Sequence, residues 1–313
     1  MPEPRRILFS AQKNEGPFLL EWVAYHKALG FTDIFIVSND CDDGSDRLLN
    51  ALADSREVFH FMQTVPAGVA AQKHAAQIAA DARWLRDGDW VIWLDADEFL
   101  LPSKPEHGVA DLIASMGGAR ALHIAWRFFG DSGHRHWPGR HVSRDFLMAA
   151  PRRKGQNAQV KTLFRYGPEI ERLDIHRPIL EPGTTRDHFP AITSSGGPAD
   201  DKFYDTRRDR PFNRLVAQKR PYILGQIAHF SIRTPEMFSR KARRGDGYYA
   251  NPAAVARDEE LYRRRNFNVV PEEGLARRKP ETDREMQRLY ALPGVATACR
   301  EIEGFRFDSE SKK

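Results

Sequence analysis

The chain has 313 residues, 41% of them hydrophobic and 29% charged, which is enough apolar side chain for a sizeable core and excludes a disordered or fibrous protein. Its formal net charge is +5, and Cys41 and Cys299 are its only cysteines, far apart in sequence, which excludes a disulfide framework and a closely spaced cysteine zinc site. No apolar run approaches the roughly 18 residues that span a bilayer, and the start, MPEPRR, carries no secretory stretch, so a cytoplasmic protein is expected.

Up to residue 98 the sequence alternates short apolar runs with helical patterns. Residues 6–10 (RILFS) read as a first strand and 17–29 as the helix after it: Pro17 suits a first helical position, Phe18, Leu19, Trp22, Val23 and His26 lie at helical spacing, and Gly30 suits the stop. A second strand at 34–37 runs into the polar loop 38–46, where Ser45 or Asp46 can cap the next helix. Residues 58–61 read as a short third strand and the alanine-rich stretch 69–85 as a helix, ended at Asp87-Gly88-Asp89. Residues 90–94 (WVIWL) form a continuous apolar run, as in a central strand buried on both faces, and deliver Asp95-Ala96-Asp97-Glu98 at its carboxyl end. The pattern predicts an α/β fold with a mostly parallel central sheet covered by helices on both faces, in which ligands bind at the carboxyl edge. Further strands are expected at 121–126, 160–165 and 223–232, with irregular segments over 127–157 and a loop-rich region most mobile at 193–210. Helices are expected at 235–244, 255–265 and 281–289, and a frayed tail at 308–313.

Two aspartates one residue apart at a strand end point to one side of the chain. Asp95 and Asp97 can share a hard cation or divide between metal and ribose, and oxygen ligands of this kind select Mg²⁺ or Mn²⁺. A nucleoside diphosphate leaving group gains negative charge as its bond to a sugar breaks, and a cation bridging both phosphates lowers that cost. Alone, Asp-x-Asp is equally a pair of turn residues; its place directly after WVIWL and three β/α units favours chemistry. An acceptor hydroxyl also needs a base, for which the sequence offers Glu98, Asp131, His134 and Asp145, with Asp131 favoured. Trp126, Phe129 and Trp137 could stack on a sugar ring or fill the core, and His26, His123 and His176 read as structural. Basic blocks at 152–154, 240–244 and 263–265 are solvated faces or contacts for an anionic acceptor or membrane surface; lacking interleaved aromatics and a helix-turn-helix, they predict no nucleic-acid binding.

Lys13-Asn14-Glu15, FLLEWVAYHKALGFTDIFIVSND, DDGSD and WVIWLDADEFL occur in an order that resembles the bacterial glycosyltransferase family 2 branch in which NE...EW..YH..LG precedes D-x-D-E-F. The resemblance continues through WRFFG at 126–130 with Ser132-Gly133-His134, KTLFR at 161–165, AHFS at 228–231 and Arg243-Arg244-Gly245, so it covers residues 6–247. It implies a GT-A fold, a nucleotide-sugar donor with UDP-sugar favoured, inversion at the anomeric carbon, a glycan or lipid-linked acceptor, and Mn²⁺ or Mg²⁺ as cofactor. Carried onto this chain, Asp97 is the principal metal ligand, Asp95 its partner through ribose or water, and His229 the late strand-end histidine that completes the metal site. Lys13, Asn14, Glu15, Asn39 and Asp40 fall where the family holds the nucleoside, and Gln72 and Lys73 where a side chain reaches uracil or diphosphate; Ser38 stands where the family more often has an acid. The implied organisation is a transferase domain over 1–247, with a nucleotide-sugar half at 1–118 and an acceptor half at 119–247, then a helical extension over 248–313. Peripheral contact with an anionic inner membrane face fits the same reading. A nucleotidyltransferase is the first rival, although SAQKNEGPF lacks the glycine-rich basic loop such enzymes carry. A haloacid dehalogenase phosphatase fits poorly, because Glu98-Phe99 follows the aspartates. A catalytically silent sugar- or polyanion-binding protein is the rival from another class, against which the intact Asp95 and Asp97 count.

Overall fold

The computed structural model describes residues 3–139, 141–152, 158–206, 221–251 and 256–305. The expected tail at 308–313, residues 207–210 of the expected mobile stretch, and Arg153 and Lys154 lie outside them.

The first half follows the β/α alternation: β1 (Arg6–Gln12), α1 (Gly16–Ala28), β2 (Asp33–Ser38), α2 (Ser45–Asp54), β3 (Phe59–Met62), α3 (Ala71–Asp81) and β4 (Trp90–Trp93). Then come β5 (Glu98–Pro102), α4 (Val109–Ala114), β6 (Ala121–Phe128), α5 (Val142–Asp145), β7 (Met148–Ala149), β8 (Val160–Arg165), β9 (Ile170–Arg172), β10 (Ile179–Leu180), β11 (Ala191–Thr193) and β12 (Gly225–His229). The C-terminal part holds α6 (Pro235–Arg244), α7 (Glu259–Arg265), β13 (Val270–Pro271), α8 (Lys279–Tyr290) and α9 (Val295–Glu301). Short β7, inside the stretch expected to be irregular, pairs with β13.

A nine-stranded sheet runs in the order β3-β2-β1-β4-β8-β6-β12-β5, with β11 beside β6. Strands β1 to β4 are mutually parallel, β6, β11 and β12 run parallel to one another, and β8 and β5 oppose their neighbours. The fold is therefore α/β with a mostly parallel central sheet. Alternate residues of the strands feed two cores, as the period of two requires: Leu8, Ile34, Ile36 and Ile92 face the core shared with α1 and α2, whereas Ile7, Phe9, Phe35, Val91 and Trp93 face the one shared with α3.

Two features depart from the sequence expectation. The run EFLLP after the Asp-x-Asp is a buried strand, β5, paired antiparallel with β12. Helices α8 and α9 of the expected extension pack into the main core, for α8 lies along α1 and α9 against α2, and Met286, Leu289, Val295 and Cys299 are buried in the same core as Trp22 and Leu48. Within residues 193–204, Thr193, Ser194, Ala199 and Phe203 are buried and Gly196, Pro198, Asp201 and Lys202 are exposed.

Candidate active site

Strand order reverses beside β1, whose chain moves outward to β2 and β3 and then returns to β4 on the other side. The crevice beyond the carboxyl ends at such a reversal is where open α/β sheets bind ligands. Asp95, Ala96 and Asp97 make the turn from β4 into β5, closed by the Glu98 N–H donating to the Asp95 carbonyl at 3.0 Å. Opposite Glu98 in the β5–β12 register stands His229. Its Nε2 is 3.5 Å from Asp97 Oδ2.

Helix α1 fixes this turn from behind. Trp22 Nε1 donates to the Glu98 carbonyl at 2.9 Å, the Tyr25 hydroxyl to the Leu100 carbonyl at 2.7 Å, and His26 Nε2 accepts from the Leu100 N–H at 3.4 Å while its Nδ1 donates to the Trp22 carbonyl at 2.8 Å. Residues three and four apart share a helix face, so the EW..YH spacing places these groups along one strand. Glu21 accepts the N–H groups of Val142 and Ser143 at 2.7 and 2.9 Å, tying α1 to the segment that follows β6. Burial holds His26 neutral, pushing it down to about 3.

The acidic groups are separately compensated. Asp97 is buried, which alone would raise its pKa, but contact between Lys241 Nζ and its Oδ2, with His229 and Arg233 nearby, holds it well below the usual carboxylate range. Asp95 accepts from Gln72 Nε2 and from Lys161 Nζ, each at 3.3 Å; burial outweighs the lysine and raises it. Glu98 accepts the Asp95 N–H at 2.9 Å and lies 3.0 Å from Lys161, yet full burial pushes it up to about 8. His229 is held neutral, pushed down to about 4 by burial. Lys161 thus anchors the turn from a wholly buried position, while Lys241 reaches it from α6.

The other residues expected at the nucleoside are brought to the same edge but bonded chiefly to one another. Asn14 donates to Asp42 at 2.7 Å and accepts the Asp42 N–H at 3.0 Å, stitching the loop after β1 to the loop after β2. Lys13 lies 3.8 Å from Asp40, whose carboxylate also accepts from Asn39 at 2.9 Å. Glu15 is buried between Arg233, at 2.9 Å, and Arg244, so its charge is spent on holding α6. Gln72 reaches Asp95, whereas Lys73, about 100° further round α3, is exposed.

The expected base candidates take structural partners. Asp131 accepts from the Gly133 N–H and Asn268 at 2.8 Å, from Tyr262 at 2.7 Å and from Asn266 at 2.6 Å; burial works against this, but the donors hold it ionised, with both oxygens committed. His134 Nε2 donates to the Asp145 carbonyl at 3.0 Å, and Asp145 itself is buried at the end of α5. Trp137 donates to the Gly304 carbonyl at 2.9 Å and packs edge-on to Phe18, and Phe129 is core. Trp126 alone of the three aromatics lies at the site, with its ring 4.3 Å from His229.

Several site residues were not anticipated. Lys241 and Arg244 lie three residues apart on α6, and Arg244 also donates to the Asn14 carbonyl at 3.0 Å. Arg265 stands 5.5 Å over the Phe128 ring, which stacks on His229 at 5.0 Å. Arg257 pairs with Asp246 at 3.0 Å, and its charge acts on both Lys241 and Arg265. Residues 257–268 therefore complete the site from the part of the chain for which the sequence offered no counterpart.

Among the described residues no three His, Cys, Asp or Glu side chains converge as a metal site, and Asp95 is bonded to Lys161 and Gln72. Asp97 and His229 do converge. Two atoms each about 2.1 Å from one cation stand no more than about 4.2 Å apart, and their 3.5 Å separation meets that condition. The neutral imidazole offers a lone pair, and Lys241 shows that Asp97 Oδ2 is open to a positive charge.

No protein-family model matches the chain. It is 33% identical over 135 residues to a glycosyltransferase family 92 protein of Ricinus communis, covering 42% of this chain and 24% of that protein, and 30% identical over 152 residues to one of Oryza sativa subsp. japonica, covering 45% and 24%. The chain thus spans about a quarter of the length of these curated relatives. Among solved structures, S. aureus TarS aligns with a TM-score of 0.33 at 10% identity over 50% of this chain and 24% of that one. A 4-diphosphocytidyl-2C-methyl-D-erythritol synthase aligns with a TM-score of 0.33 at 16% identity over 53% and 76%. The relatives are plant proteins of family 92, whereas the motifs resemble the bacterial family 2 branch; glycosyltransferase is what the two have in common.

Proposed function

We propose that this chain is a glycosyltransferase that uses a divalent cation, Mn²⁺ or Mg²⁺, to transfer a sugar, with inversion, from a nucleoside diphosphate donor of the UDP-sugar type to a glycan or lipid-linked acceptor. The observation that carries the reading is Asp97 facing His229 across 3.5 Å at the carboxyl edge where the strand order reverses, beside the loops after β1 and β2. The partial similarity to family 92 proteins supports it independently.

In this reading Asp97 and His229 hold the cation, which when bound neutralises charge on the departing diphosphate. Gln72 and Asp95 line the adjoining wall, and Asp40 and Lys13 border the nucleoside side. Arg265, together with Lys241, gives the crevice positive charge where a diphosphate would lie. Trp126, Phe128 and the buried β5 strand back the turn, while Asp95 stays partly exposed to the crevice. Exposed Arg263 and Arg264, next to Arg265, favour an anionic acceptor or an anionic membrane surface. No described helix is long and apolar enough to cross a membrane.

Incubation with UDP-sugars and Mn²⁺ tests the reading. Slow release of UDP, abolished in Asp97→Asn, is expected; exchange of pyrophosphate instead would mark a nucleotidyltransferase, and no reaction or UDP binding would leave a silent binding protein.

A further inference from the structure

The cation proposed at Asp97 meets a side chain already there. Lys241 Nζ contacts Asp97 Oδ2, the same oxygen that faces His229, and a second donation goes to the Ser231 carbonyl at 3.4 Å. An ammonium and a divalent cation placed between this oxygen and the imidazole would compete for the same position and repel each other. The helix that carries the lysine is fixed independently. Thr234 caps it by accepting the Met237 N–H at 3.2 Å, Arg233 holds Glu15 at 2.9 Å, and Arg244 grips Glu15 and the Asn14 carbonyl from the other end. Lys241 lies between these clamps on a flexible four-carbon stem, so its ammonium can leave Asp97 without moving α6.

Resting on the metal reading above, we propose that Lys241 is a diphosphate-binding residue that occupies Asp97 in the metal-free protein and is exchanged for the cation when metal and nucleotide enter. The ammonium then pairs with the incoming diphosphate, the nearest new negative charge. The positive charges of Arg257 and Arg244 nearby disfavour leaving it unpaired. No proton or covalent bond changes hands; one ion pair replaces another.

The lysine therefore opposes metal alone and favours the nucleotide, and one substitution should move the two affinities in opposite directions. Mn²⁺ binding is read by electron paramagnetic resonance of the free ion without nucleotide, and UDP binding by calorimetry at saturating Mn²⁺. Lys241→Met is expected to bind Mn²⁺ about tenfold more tightly and UDP about tenfold more weakly than the parent protein. Lys241→Arg, which keeps the charge, should show no tightening toward Mn²⁺. Arg240→Met, on the same helix but paired with Glu303 at 2.7 Å, should change Mn²⁺ affinity by less than about threefold. Parallel weakening of both ligands in a folded Lys241→Met protein would mean a merely structural lysine and would overturn the inference. Equal tightening in Arg240→Met would reduce the effect to general charge and overturn it as well. If Asp97→Asn leaves Mn²⁺ binding unchanged, both alone and combined with Lys241→Met, the metal reading fails at Asp97 and the inference falls with it, a result distinct from the other two.

Discussion

Replacing Glu15 by alanine separates a supporting role from a ligand-binding one. Its carboxylate is buried, accepts from Arg233 at 2.9 Å and contacts Arg244, while Arg233 also lies 3.5 Å over the Phe18 ring and donates to the Ala96 carbonyl at 3.2 Å. Glu15→Ala leaves both guanidinium groups without their carboxylate and Arg233 with a single carbonyl in place of an anion. Breaking one side of a buried ion pair costs about 3–5 kcal/mol, a large share of the roughly 5–15 kcal/mol that a domain has. With a urea slope of about 3 kcal/mol per molar, the midpoint should fall by about 1–1.7 M. Equilibrium unfolding in urea, followed by tryptophan fluorescence, measures this. A shift below about 0.3 M together with lost UDP affinity would refute the reasoning and return Glu15 to the nucleoside, where the family resemblance places it.

Buried histidines make stability pH-dependent. Burial pushes His26, His123 and His176 down to about 3, below the ordinary 6.5, so the unfolded chain binds protons that the folded one excludes; their contribution is complete above 6.5 and is lost as pH falls. At pH 5.5 each should cost about 1.4 kcal/mol, roughly 4 kcal/mol together, and urea midpoints equal at pH 7.5 and 5.5 would contradict this. Asp131→Asn turns an acceptor of four hydrogen bonds partly into a donor facing Tyr262, Asn266 and Asn268, and should cost about 2–3 kcal/mol of stability. Turnover per folded molecule should change little; a loss of about 100-fold would restore Asp131 as the base.

The sequence made the first half of the fold legible because each buried strand there is a short apolar run closed by polar residues, and WVIWL fixed where Asp95 and Asp97 would emerge. Strand β5 escaped notice because EFLLP continues the motif without a turn signal, and only its pairing with β12 defines it as a strand. Lys161 is a fully buried charged residue in the strand VKTLFR, and its partners, Asp95 and Glu98, lie more than sixty residues away in sequence. The grip of Tyr262, Asn266 and Asn268 on Asp131 spans 131 to 137 residues, and no local pattern encodes a contact of that length. Glu15 belongs to the Lys13-Asn14-Glu15 motif, but a motif does not tell a ligand contact from a strut, and its ion pairs with Arg233 and Arg244 come from more than two hundred residues away.

The central claim is that Asp97, with His229, holds a cation that in turn holds the donor diphosphate. Calorimetric titration of UDP into the protein and into Asp97→Asn, each with and without Mn²⁺, tests it most directly. Mn²⁺ should strengthen UDP binding to the parent protein by about tenfold or more and leave the Asp97→Asn protein unaffected. Equal strengthening in both proteins, or none in the parent, would contradict the account.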